Sequence, residues 1–219
     1  MNGRDDTAAI VAMLGRATPL NIGWLPCPTG RLVACDPFFC AGALPLAGVA
    51  PTGEHVVVLY RIAVPGWGRR VAAASLLWRQ GPICGIEATA MPDGSRARHF
   101  VDSGLSSFMD EATRPRFAAA LGAHARSAID ANYYWDVLEA GFRASADDPT
   151  DPEQAGDWCL HAFADDTAAR VAMFSSGLGD GTYSTWWALD GLGGRIGLLT
   201  NFEVFTRAEK PPPNVETPP

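Results

Sequence analysis

The segment Ser176-Gly177-Leu178-Gly179-Asp180-Gly181-Thr182-Tyr183 sets glycine at alternate positions around one aspartate and runs at once into strand-type residues. Glycine tolerates positive φ and lets other backbone approach closely, and an aspartate within such a turn accepts hydrogen bonds from exposed N–H groups. The chain must therefore make a sharp, internally bonded turn here, which either locks sheet strands together or forms a site. Strand-type residues surround it, at 158–164, 168–175, 182–190 and 195–205, with turns at Asp165-Asp166 and Gly191-Leu192-Gly193-Gly194 between them. The C-terminal third is thus expected to be a β-meander.

The clearest hairpin lies upstream. Val56, Val57, Val58, Leu59, Tyr60, Ile62 and Val64 form one arm, Pro65-Gly66-Trp67-Gly68 the turn, and residues 69–79 the return. Near-continuous apolar character on both arms implies a sheet covered on both faces. Two further strands, 83–89 and 98–102, flank the turn Pro92-Asp93-Gly94-Ser95, and a shorter hairpin is expected from strands 20–25 and 31–35 around Pro26–Gly30. Helical spacing of Ala8, Ala9, Ala12 and Met13 behind Asp5, Asp6 and Thr7 predicts a short helix over 5–16, and residues 110–142 form the principal helical region, as one helix or two. Residues 38–53 read as an ordered loop and 146–156 as an acidic exposed one. The expected class is α+β: mainly antiparallel sheet, packed with the helical segment around 110–142, in a single domain over 1–206 with a proline-rich, extended and mobile tail over 207–219.

With hydrophobic residues at 47% and charged residues at 19%, the 219-residue chain can bury a sizeable core. No apolar run approaches the ~18 residues that a membrane-spanning helix needs, and the acidic N-terminus does not resemble an export signal. A cytoplasmic protein is expected, its five cysteines serving as small thiols rather than disulfides. Its net charge of −7 and single lysine, Lys210, argue against nucleic acid and favour encounter with a basic protein partner.

Chemistry is sparsely marked. Asp36 at a strand end before Pro37 reads first as a turn-former; the competing idea joins Asp36, Asp180 and Asp190 as a carboxylate cluster for acid/base work or a cation, with Tyr183 as donor. No DxDxDG loop, CxxC, HxxxH or HExxH occurs, so no metal or cofactor is expected. The glycine turn lacks the lysine of a phosphate-binding loop and leads into a strand. Cys159 and His161, two apart, would share one strand face. Among Tyr183, Trp186, Trp187 and Phe202, alternation puts one of the adjacent tryptophans on the opposite sheet face, where an outward ring could anchor a partner. Candidate binding residues are therefore Asp36, Gly177, Gly179, Asp180, Gly181, Tyr183, Trp186, Trp187 and Asp190.

The stretch TGRLVACDP ending at Pro37, the VVVLYRIA and RRVAAASLLW arms, VDSGLSSFMD at 101–110 and SGLGDGTYSTWWALDGLGGRIGLLTNF at 176–202 together resemble the bacterial domain-of-unknown-function family 4241. The resemblance spans nearly the whole chain, and its specific part is the GDG-x-Y segment followed by Asp190-Gly191 and the closing strand Leu198-Leu199-Thr200-Asn201-Phe202. Members place an aspartate before that final phenylalanine; Asn201 here removes a charge. The resemblance implies position and fold, no enzyme activity, and an accessory or conflict-related role such as immunity to a secreted toxin. The leading expectation is a non-enzymatic immunity-type protein that occludes a basic toxin domain; the rival is a small hydrolase or metal-assisted enzyme using Asp36, Asp180 and Asp190.

Overall fold

The computed structural model describes residues 3–148, 150 and 156–204; the proline-rich tail and most of the acidic loop at 151–155 lie outside them. The hairpin with the strongest apolar signal forms the longest pairing, between β3 (Gly53–Val64) and β4 (Gly68–Leu77). Residues 71–76 are buried without interruption, so both faces of this sheet are covered, as continuous apolar patterning requires. β1 (Thr18–Cys27) pairs with β3 at one edge, where Pro19 and Pro26 cost little because an edge strand need not donate every N–H. On the other side β4 pairs with β11 (Arg195–Asn201) and β11 with β10 (Gly181–Leu189). The far flank of β10 is shared: β6 (Arg98–Val101) pairs with its first half and β5 (Gly85–Ala88) with its second.

A second sheet of four strands runs β2 (Leu32–Cys35), β7 (Leu105–Asp110), β9 (Asp166–Ser175), β8 (Trp158–Phe163). Among the described residues every strand pairing in both sheets is antiparallel. Alternation divides its side chains between two cores. Leu32, Ala34, Phe108, Ala172 and Phe174 meet the first sheet's Val57, Leu59, Leu76, Leu198 and Tyr183. Val33, Cys35, Met109, Val171 and Met173 face the helical layer and meet Phe117, Leu138 and Phe142. That layer contains α2 (Arg114–Ala125), a π-helical turn (Tyr134–Leu138) and α3 (Glu139–Arg143), while α1 (Gly3–Arg16) adds Ile10 and Met13 to the first core and touches β5. The protein is α+β and mainly antiparallel.

Two connectivity expectations change. The strands flanking Pro26–Gly30 do not form a hairpin: β1 belongs to the first sheet and β2 to the second, because Thr29 is tied by its N–H and hydroxyl to the Asp110 carboxylate on β7. The C-terminal strands are all present, yet they form two hairpins rather than one meander. β8–β9 lies in the second sheet, β10–β11 in the first, and the glycine turn carries the chain between them. The helical region is in two pieces, and its first expected residue, Asp110, ends β7. The break falls before Asn132, whose side-chain oxygen accepts from Tyr134 N–H (3.0 Å) and Trp135 N–H (3.3 Å) and so starts a new helical turn. The five cysteines are free, four of them buried, and burial pushes the Cys35 thiol up to about 12 and those of Cys40 and Cys159 to about 11. Cys84 departs from that pattern and is exposed.

His99 on β6 bridges the sheets: its Nε2 lies 2.8 Å from Ser106 Oγ on β7. Burial disfavours the charged ring and lowers its pKa from 6.5 to about 4. The unfolded chain therefore binds this proton first, so stability is complete above pH 6.5 and falls as pH drops toward 4. His161 is shifted the same way by burial. From His99 alone about 2 kcal/mol is expected to disappear between pH 7.5 and 5, at ~1.4 kcal/mol per pH unit below the unfolded pKa. Urea unfolding at the two pH values checks this; an unchanged midpoint contradicts it.

Candidate functional site

Three connections cross between the sheets on one side of the molecule, and two aspartates predicted from sequence hold them. Asp36, 1% exposed, accepts from Phe38 N–H at 2.9 Å in its own 3-10 turn (Pro37–Gly42), and from Asp102 N–H (3.0 Å) and Ser103 N–H (2.9 Å) in the β6–β7 connection. The next N–H along, Gly104, donates to Asp180 at 3.0 Å. Gly104 O in turn accepts from Ser176 N–H at 3.0 Å. Ser176 Oγ donates to Gly179 O (2.9 Å), and the buried Tyr183 hydroxyl lies 3.1 Å from Ser176 O and 2.5 Å from Gly179 O. Gly177 and Gly179 take positive φ, and Gly181 opens β10. The octet is a knot in which acid and phenol serve main-chain groups.

Asp36 and Asp180 thus bind adjacent N–H groups of one turn. Asp190 does not join them. It follows the other end of β10, about 30 Å away at ~3.3 Å per residue, where it accepts from Leu192 N–H (2.9 Å) and Gly194 N–H (2.8 Å) and pairs with Arg79. The Gly194 N–H is the main reason its carboxyl sits below the usual range. The competing three-carboxylate cluster is therefore not formed, because the length of β10 separates Asp190 from the other two. No group of three or more His, Cys, Asp or Glu residues able to hold a metal occurs among the described residues.

The tryptophan expectation also changes. Trp186 and Trp187 are 7% and 3% exposed. Alternation does send them to opposite faces, but both faces are covered, and each ring has a guanidinium over it: Arg96 at 4.2 Å from Trp186, Arg195 at 4.7 Å from Trp187. Neither ring is an outward anchor.

The exposed aromatic surface lies elsewhere. Phe39 is 60% exposed, Trp135 62% and Val137 40%. The π-helical turn explains the latter two: Leu138 and Phe142, four apart, anchor one face in the second core, and the extra residue in the wider turn leaves Trp135 and Val137 outside. Beside them a cleft of about 420 Å³ is lined by Phe38, Ser103, Leu105, Asn132, Tyr134 and Trp135. Across Phe38 and Asn132 it adjoins a second, of about 270 Å³, where Leu121, His124, Ala131 and Tyr133 contribute. Tyr134 and Trp135 meet edge to face at 4.8 Å.

Polar contacts fix the floor of the second cleft. Asp136 accepts from Asn132 N–H at 2.8 Å and lies 2.7 Å from His124 Nε2; these bonds, the histidine's first, hold its carboxyl below the usual range. Tyr133 OH lies 3.2 Å from His161 Nε2, and both rings pack on Phe117. Exposed Asp102 and Asp130 directly precede lining residues Ser103 and Ala131, and neither has an ion-pair partner among the described residues. The cleft is mainly apolar, and an exposed aspartate stands next in sequence to a lining residue of each part. Sequence reasoning missed it, although Tyr133-Tyr134-Trp135 was a usable signal: at ~100° per residue, three successive helical side chains cannot share one buried face.

Two packed antiparallel sheets with helices on the outer side of the smaller one, closed by the knot at 176–183, define the class. A family model described as "Protein of unknown function (DUF4241)" matches residues 25–200, and the chain belongs to that family. No curated protein and no solved structure matches it.

Proposed function

We propose that this is a non-enzymatic, cytoplasmic binding protein of bacteria, of the immunity type, which neutralises a basic toxin domain by covering it. The observation that carries the reading is the cleft lined by Phe38, Tyr134 and Trp135, the last of them 62% exposed, with exposed Asp102 next in sequence to lining Ser103. Large exposed aromatics beside a cleft suit partner anchors, since interface energy concentrates in Trp, Tyr and Arg that become fully desolvated. The net charge of −7 accelerates encounter with a basic surface. No helix among the described residues is long and apolar enough to cross a membrane.

The decisive experiment coexpresses the chain with the product of a neighbouring toxin-like gene and measures capture and cell survival; failure to bind or protect removes this reading. Trp135→Ala is expected to weaken capture at least ~30-fold, the consequence of losing an anchor of ~2 kcal/mol. Because the ring is 62% exposed, thermal unfolding should move by no more than a few degrees. Full-strength capture by this variant would place the interface elsewhere.

A further inference from the structure

The same chain carries a segment with the composition of a polyproline ligand. Residues 205–219 read Phe-Thr-Arg-Ala-Glu-Lys-Pro-Pro-Pro-Asn-Val-Glu-Thr-Pro-Pro, placing Lys210 immediately before three consecutive prolines, with Arg207 and Glu209 upstream. Proline fixes φ near the polyproline II value and has no N–H, so such a segment offers carbonyl oxygens that no internal bond satisfies. Grooves that recognise it are lined by aromatic rings, with ring donors for those carbonyls. Phe38, Tyr134 and Trp135 supply the rings, and the Trp135 indole N–H has no hydrogen-bond partner among the described residues. Asp102 and Asp130, without ion pairs among the described residues, complement the net positive segment 207–213, where Arg207 and Lys210 outnumber Glu209.

The distance is short. Val204, the last described residue, is 1% exposed, and its Cγ2 would lie 2.8 Å from a methyl on Gly177. Ser176, next to Gly177, bonds to Gly104, whose neighbours Ser103 and Leu105 line the cleft. The described chain therefore stops within a few residue widths of the cleft edge. From there Arg207 is reached in about 10 Å and Pro211 in about 23 Å of extended chain, at ~3.3 Å per residue.

We propose that the cleft is a docking groove for the chain's own segment 207–213, bound as a polyproline ligand and displaced when the partner arrives. The partner half of this proposal rests on the cleft being the partner surface; the docking half does not.

The test compares the full chain with one truncated after Val204, following the Trp135 indole N–H by NMR. Truncation should shift that resonance, and a synthetic 205–219 peptide should return it toward the full-chain position, with Kd below the ~1 mM effective concentration of a short tether. The peptide should leave the full chain, and a truncated Trp135→Ala variant followed through other cleft residues, unmoved. A Trp135 resonance identical in full and truncated chains overturns the proposal, as does a peptide without effect on the truncated chain. A full-chain resonance that varies with protein concentration assigns the groove to a second copy's segment and also overturns it. Competition predicts partner capture up to ~10-fold tighter after truncation, for a peptide Kd near 0.1 mM. Equal capture by both forms removes the displacement and leaves the proposed function standing. Docking without capture by either form removes the function and leaves the groove's ligand standing.

Discussion

Asp36→Ala is expected to destabilise the protein by about 4 kcal/mol, more than a typical buried substitution, because the carboxylate is the shared acceptor of two connections rather than one. It is 1% exposed and takes the N–H groups of Phe38, Asp102 and Ser103. Truncation leaves three donors with a void in place of their acceptor. Each unsatisfied buried N–H costs ~1 to 3 kcal/mol, partly recovered where the surface turn at 102–104 can relax into water. For a chain of this size ~1 kcal/mol moves Tm by ~2 to 4 °C, so a fall of about 10 °C is expected. Asp36→Asn keeps one acceptor oxygen, enough for Asp102 and Ser103 N–H, but turns its NH2 toward Phe38 N–H, and should cost about 2 to 3 kcal/mol. Calorimetry of both variants separates the cases. If alanine and asparagine are equally mild, the carboxylate is not the clamp described here.

Turn chemistry was legible in the sequence, and what the turns connect was not. Pro26–Gly30 and the glycine octet carry the residues that reverse a chain, but the same residues serve a two-strand hairpin and a crossing between sheets. The choice was made by tertiary partners, Asp110 for Thr29 and Gly104 for Asp180, 81 and 76 residues away in sequence. Where pairing is local, as in β3–β4, apolar patterning and the Pro65-Gly66-Trp67 turn were sufficient. Alternation correctly put Trp186 and Trp187 on opposite faces, and the uninterrupted apolar run on β4 already indicated that neither face was open. The exposed aromatics were hidden for a different reason. A helical period over 110–142 suggests burial of Tyr133 and Val137, but the break at Asn132 restarts the turn and the π-helical widening rotates Val137 and Trp135 outward.

Gly177→Ala against Gly179→Ala isolates what the glycine knot requires. Both residues have positive φ: at +68° Gly177 sits in the left-handed well, where alanine costs ~1 to 2 kcal/mol, and at +103° Gly179 lies outside it, where alanine costs ~1 to 3 kcal/mol. They differ in space. A methyl on Gly179 meets nothing within 4 Å, whereas one on Gly177 would lie 2.8 Å from Val204 Cγ2 and 2.9 Å from Phe202 Cβ. Phe202 cannot yield cheaply: it is fully buried, packs on Phe174 and Tyr183, and its N–H is bonded to Ala72 O. Overpacking adds ~1 to 3 kcal/mol, so Gly177→Ala should cost about 2 to 5 kcal/mol and Gly179→Ala no more than about 3. Both turns keep Tyr183 and Ser176 bonding to the same carbonyls, so the difference between the variants reports close approach of the chain rather than loss of hydrogen bonds. Equal Tm losses would mean that only φ matters at this turn. A larger loss for Gly177→Ala, with the chain near Val204 becoming more susceptible to protease, would show that close approach at Gly177 pins the chain at Val204.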